Sequence, residues 1–267
     1  MSSDGPRPRP EARPEPARGE EDGVLRLAEN LRAVRARIDA AARAAGRDPA
    51  GVRLLAVSKT WPAADVRALA GLGQLHFAEN RVQELSSKAA ELAELQGLRW
   101  HLVGQLQRNK VAGVVRLGAT VHSVDRESLI EALDRAAARS ERAVDVYVQV
   151  DLGGPEGELG GRGGAAPDDV PRVADAVAAA EGLRLRGLMA VAPRGEDPAP
   201  AFARLAELSA LVRSAHPTAS ETSAGMSGDL EAAVTAGATV VRVGTALFGA
   251  RALASDGASV PGPVRPR

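Results

Sequence analysis

The sequence predicts an α/β protein built as one (β/α)8 TIM barrel with an extra helix in front of it. About eight short apolar runs alternate with stretches whose apolar residues recur every three or four positions. The chain has 267 residues, close to the roughly 250 of such barrels. Glycine-bearing turns follow the last two runs, where barrels of this kind commonly hold a phosphate.

Residues 1–22 alternate Pro with Arg and Glu and hold no aliphatic side chain larger than alanine after Met1. Such a segment buries too little surface to offset its ordering entropy, so it reads as a disordered tail. The barrel then spans 23–251, and 252–267 reads as a flexible C-terminal tail. Over 24–45, Val24, Leu27, Leu31, Val34 and Ile38 share one helical face, and Gly46 ends the helix. The run 53–58, RLLAVS, is short and continuously apolar, as expected of a parallel strand covered on both faces. Pro62 opens the next helix and Gly71 closes it. Further strands read at 74–79, 99–103, 120–123, 144–151, 183–189, weakly at 221–223, and at 239–243. Helices run through Leu95 and over 107–117, 126–139 and 199–214. An open doubly wound sheet is the alternative, because the seventh strand is faint; the eightfold alternation favours closure. The glycine-rich stretch 153–167 matches G-x-G-x-x-A at Gly161, Gly163 and Ala166, but ten residues past its strand, so it reads as a loop and not as a dinucleotide site.

Lys plus Arg and Asp plus Glu both total 34, so the chain has no net charge with which to seek nucleic acid or a membrane surface. A small molecule is the expected ligand. The absence of cysteine excludes disulfides, a thiolate nucleophile and a thiolate metal site. No run of about eighteen apolar residues and no secretory h-region occurs, which points to a cytoplasmic protein. The histidines 76, 101, 122 and 216 lack metal-site spacing, so no metal is expected. His101 and His122 fall in strand-like runs and read as core or rim residues.

Lys59 follows the first strand on the face of Leu55 and Val57, so its amine should emerge at the C-terminal mouth. There it would be a nucleophile toward an aldehyde if its pKa fell from a reference near 10.4. The turns Ser223-Ala-Gly-Met-Ser-Gly228 and Gly244-Thr245 each precede a helix, which would aim backbone N–H groups at an anion. Arg242, on the face of Val240 and Gly244, should point inward beside them. Glu79 and Asp151 end strands, but spacing alone assigns neither a role as acid or base.

These residues lie in runs that resemble the pyridoxal phosphate (PLP) homeostasis protein family, also called the YggS or proline synthetase co-transcribed homologue family. The runs are LLAVSKTWP (54–62), AENRVQE (78–84), WHLVGQLQRNK (100–110), VHSVD (121–125), GLMAVAP (187–193), SAGMSGDLEAAV (223–234) and VRVGTALFGAR (241–251). The resemblance implies a barrel like the N-terminal domain of alanine racemase, with PLP as cofactor held as a Schiff base on Lys59. It also implies Asn80 beside the cofactor, Ser223, Gly225, Met226, Ser227, Gly244 and Thr245 around its phosphate, and Arg242 as a contact to ring or phosphate. Departures fall at Arg81, where the family usually has tyrosine, at Ala224, where it has methionine, and at Asp151 with its enlarged loop.

The resemblance further implies a carrier or buffer that maintains the PLP supply, with PLP-dependent apo-enzymes as recipients and the chain a monomer. The alternative is an amino-acid racemase or decarboxylase of the same fold type. Those relatives carry a further β domain, whereas this sequence has about twenty residues after its eighth strand. Its sole tyrosine, Tyr147, lies within the fifth strand and reads as a packed barrel residue. A class I aldolase using Lys59 would be colourless, whereas PLP on lysine is yellow.

Overall fold

The computed structural model describes residues 18–153 and 163–249. Expectations for 1–17, 154–162 and 250–267 lie outside the described residues. Eight parallel strands, β1 (Arg53–Val57), β2 (His76–Glu79), β3 (Arg99–Leu102), β4 (Thr120–Val124), β5 (Val144–Val150), β6 (Leu183–Ala190), β7 (Glu221–Ser223) and β8 (Val240–Val243), form a barrel in chain order. It closes where Arg53–Ala56 of β1 run in register with Val240–Val243 of β8, which rules out the open sheet. The short β7 bridges β6 and β8. Its sequence signal is faint because Glu221 and Ser223 serve polar networks inside the barrel.

The helices are α1 (Arg18–Ala44), α2 (Ala63–Gly71), α3 (Val82–Glu91), α4 (Val111–Arg116), α5 (Glu127–Ser140), α6 (Val170–Ala179), α7 (Pro198–Ala215), α8 (Leu230–Thr235) and α9 (Thr245–Phe248). α1 starts at Arg18, six residues before the expected 24. The physical reason is that Glu20, Glu21 and Asp22 fall in the first turns of the helix, where acidic residues favour helix. α3 stops at Glu91, short of Leu95, and the expected helix at 107–117 divides into a 3₁₀ turn over Arg108–Lys110 and α4.

α1 is the extra helix. Leu27, Leu31, Val34 and Ile38 are buried where it packs on α2, α8 and α9, at roughly 1.5–3 kcal/mol for each large side chain. Asn30 donates to the Leu247 carbonyl at 2.9 Å, fixing α1 to α9. The main apolar core lies between sheet and helices. A small one inside the barrel joins Leu55, Val57, Ala78 and Val240, and this identifies the inward face of β1 as the one Lys59 continues.

The rest of the interior is polar. Near the N-terminal strand ends, Glu221 accepts hydrogen bonds from Tyr147 Oη at 2.6 Å, Arg53 at 2.9 Å and Arg186 Nε at 3.1 Å. Burial pushes the Glu221 carboxyl up, but Tyr147 and the two arginines hold it below its ordinary range. Burial and Glu221 together raise the Tyr147 phenol. Tyr147 is thus the packed barrel residue its strand position predicts. Among the described residues, no helix is long and apolar enough to cross a membrane.

Candidate functional site

At the C-terminal ends of the strands lies a cavity of about 650 Å³. Seven of the nine expected site residues line it: Lys59, Asn80, Met226, Ser227, Arg242, Gly244 and Thr245. Ser223 and Gly225, expected around a phosphate, are not among the lining residues and lie beneath the wall that the others form. Ser223 is fully buried and its Oγ is engaged by Arg242 and His122. Gly225 has φ +87°, and a Cβ there would come within 2.6 Å of the Ala233 side chain, so it lets the turn pack on α8.

Lys59 stands two residues beyond the last residue of β1, exposed, with no hydrogen bond or ion pair to any described residue. Trp61, further along the same turn, stacks on Phe248 of α9 with ring centroids 5.7 Å apart. That contact ties the β1 turn to the segment bearing Gly244 and Thr245. The two glycine turns are also joined: Ala246 donates its N–H to Ser227 Oγ at 3.1 Å. The Met226 N–H is donated to Asp229, which closes the first turn.

Arg242 is 4% exposed. It donates to the Ser223 carbonyl at 2.6 Å, Ser223 Oγ at 2.9 Å and the Ala190 carbonyl at 2.7 Å, and it forms no ion pair among the described residues. Burial pushes its guanidinium down to about 10, so it stays charged at neutral pH. A buried cation without a carboxylate is costly; an anion or acceptor arriving in the cavity would offset that cost.

Behind Ser223 runs a ladder of imidazoles. His122 Nδ1 lies 3.1 Å from Ser223 Oγ, His122 Nε2 lies 3.0 Å from His101 Nδ1, and His101 Nε2 lies 3.0 Å from His76 Nδ1. Burial and the neighbouring His76 push His101 down to about 3. Burial, then His101 and Arg242, push His122 well below its ordinary value. Both are therefore neutral inside the barrel, as the core reading of these strand residues anticipates.

Among the described residues, the cavity wall carries Lys59, Arg81, Arg194 and Arg242 and no carboxylate, a field that favours an anionic ligand. Thr60, Gln105, Gln149, Met189 and Arg194 also line it and were not anticipated. Gln149 and Met189 lie at the C-terminal ends of β5 and β6, and Thr60, Gln105 and Arg194 three or four residues past β1, β3 and β6, so the rule that marked Lys59 extends to them. Glu79 is buried away from the mouth, bonded to Lys88 and Ser58, and Asp151 accepts the Gly153 N–H at 2.9 Å. Neither is placed to act as an acid or base in the cavity.

A barrel with a free amine on one wall of its mouth, a buried guanidinium on another and two joined glycine turns between them defines a lysine-bearing barrel of the alanine racemase type. The family model described as alanine racemase, N-terminal domain, matches residues 30–252. The pyridoxal phosphate homeostasis protein of Mycobacterium leprae (strain TN) is 44% identical over 248 residues, 88% of this chain and 96% of that protein. The structure of PipY from Synechococcus elongatus PCC7942 with PLP bound superposes with a TM-score of 0.73 at 38% identity, covering 84% of this chain and all of that one. Alanine racemase from Streptomyces coelicolor A3(2) shares the fold at a TM-score of 0.69 and 21% identity, over 85% of this chain but 59% of the racemase. The chain belongs to the pyridoxal phosphate homeostasis protein family.

Proposed function

We propose that this protein binds PLP as a Schiff base on Lys59 and acts as a carrier or buffer in PLP homeostasis. The observation that carries this reading is the placement of Lys59, Arg242 and the two joined turns on one cavity, with no carboxylate on its wall among the described residues. The group fits the residues present. The cofactor's aldehyde supplies a carbon that condenses with an amine, releasing water, and Lys59 is the lysine on the wall. Its phosphate matches the Ser227 and Gly244–Thr245 turns, and its ring nitrogen or phosphate gives Arg242 an acceptor on the cavity side, beyond the three it has in the wall. PLP bound to PipY and the names of the curated relatives support the same assignment.

Carrier is favoured over racemase or decarboxylase by the composition of the wall. Among the described residues, and beyond the lysine that would hold the cofactor, no His, Tyr, Asp or Glu lines the cavity, so none of them supplies a second acid or base there. The described tyrosine is engaged by Glu221 at the far end of the barrel. In this reading the chain works as a cytoplasmic monomer and PLP-dependent apo-enzymes receive the cofactor.

Borohydride reduction of the yellow protein should fix a phosphopyridoxyl group on the peptide containing Lys59, because only an imine is trapped. Lys88 should stay unlabelled, since its ammonium is buried and fully bonded. Recovery of the label mainly on Lys88 or Lys110 would sink the assignment. Sustained racemisation or decarboxylation of any common amino acid by the loaded protein would instead favour the enzyme.

A further inference from the structure

We infer that the buried Glu79–Lys88–Glu84 cluster is a positioning device for Lys59, one that clamps the peptide groups on both sides of it. The inference rests on the reading of Lys59 as the cofactor lysine. Lys88 of α3 directs its ammonium to three acceptors: the Ser58 carbonyl at 2.6 Å, Glu79 Oε1 at 2.6 Å and Glu84 Oε1 at 2.9 Å. Ser58 Oγ donates to the same Glu79 oxygen at 2.7 Å. Glu84 also accepts the N–H of Thr60. The residues before and after Lys59 are therefore each tied to one buried charge cluster, while the Lys59 side chain is left free.

The turn needs such a clamp. Trp61 donates its N–H to the Ser58 carbonyl at 3.0 Å, which makes Ser58–Trp61 a β-turn. Thr60, at its third position, has φ +68°. That position with positive φ is ordinarily held by glycine, and a β-branched residue is strained there. Strain of this kind persists only where the surroundings over-determine the backbone. The Glu84 carboxylate on the Thr60 N–H, and Lys88 on the Ser58 carbonyl, are the groups that do so.

The cluster is a poor device for stability alone. The side chains of Lys88 and Glu79 are 7% and 0% exposed, and Glu79 Oε2 is buried with no hydrogen-bond partner among the described residues. Buried ion pairs with an unmet oxygen recover little of their desolvation cost. What the cluster does secure is the direction in which Lys59 leaves the barrel wall.

Glu84→Ala tests this without stripping the buried pair, because Glu84 sits at the edge of the cluster with 24% of its side chain exposed. Titration with PLP, followed by the absorbance of the lysine imine, should show a loss of affinity of about tenfold, the effect of one strained residue released. The apo-protein's unfolding midpoint should stay near that of the wild type. Adding Thr60→Gly should return the affinity to within about threefold of wild type, since glycine adopts this φ without a clamp. Wild-type affinity in Glu84→Ala, or failure of Thr60→Gly to restore what was lost, overturns the positioning role. If Lys59→Ala forms the same PLP complex as wild type, the failure belongs instead to the reading of Lys59.

Discussion

Arg242→Ala lowers the affinity for PLP about a hundredfold while the apo-protein keeps its barrel. A charge-assisted hydrogen bond contributes about 1.5–3 kcal/mol, and a factor of ten is 1.4 kcal/mol. One such bond to the phosphate or ring nitrogen, together with the long-range attraction of a desolvated cation, accounts for two decades. The cost to the apo fold is smaller because two effects oppose. Three hydrogen bonds are lost, to the Ser223 carbonyl and Oγ and to the Ala190 carbonyl. A fully buried cation with no ion pair among the described residues is removed with them. Arg242→Lys should not rescue binding, because a single ammonium cannot reproduce the planar fork that grips three acceptors on one side and faces the cavity on the other. PLP titration and apo thermal unfolding, measured side by side, decide the matter. Unchanged affinity with a lowered apo midpoint would make Arg242 a core residue only.

The parts of this molecule that were legible in the sequence are those whose signal is local. RLLAVS reads as a buried strand because both faces are apolar, and two-residue alternation along Leu55 and Val57 places Lys59 at the mouth without knowledge of any other strand. Gly244 and Thr245 are legible for the same reason. The Glu221–Ser223 strand was faint because its residues are chosen for polar partners, Tyr147 and Arg186 on one side and Arg242 on the other, and no hydrophobic period survives. Ser223 and Gly225 lie in the turn the sequence marks, but their side of it is packed beneath the cavity wall. Alternation cannot say how deep a turn sinks, and the depth is set by the packing of Gly225 on Ala233. The clamp around Lys59 joins residues up to thirty positions apart and depends on how α3 lies across β1 and β2. The imidazole ladder depends on the registers of three strands, and pairing of Ala78 with His101 and of His101 with Thr120 is not encoded in any one of them.

That ladder makes the fold acid-sensitive in a window set by histidine: between pH 7.5 and pH 5 the protein should lose about 2 kcal/mol of stability through His101 alone, with His122 adding to it. Above the ordinary value of 6.5, His101 and His122 are neutral both folded and unfolded, and contribute no pH dependence. Below it the unfolded chain takes up a proton on each. The folded barrel refuses it, because the rings are fully buried, bonded to one another, and near Arg242 and Arg53. Stability therefore falls as pH falls, by about 1.36 kcal/mol per pH unit for each histidine, and for His101 the loss continues until its folded value of about 3. His101 over roughly one and a half units gives about 2 kcal/mol, a sizeable share of the 5–15 kcal/mol that holds an ordinary domain, and His122 acts in the same direction. Glu79, whose carboxyl burial pushes up despite Lys88 and Ser58, works in the opposite sense, and the paired Glu221 acts lower. Glu221, held below its ordinary 4.5 by Tyr147 and the arginines against the upward push of burial, stabilises above that value and is lost only beneath it. Urea unfolding at pH 7.5, 6.5, 5.5 and 5 separates the two sources. The slope should appear already below 6.5 and flatten when His101→Gln or His122→Gln removes a titrating ring. Stability that stays level down to pH 5 would mean that the imidazoles accept protons within the folded barrel, and the neutral ladder would have to be abandoned.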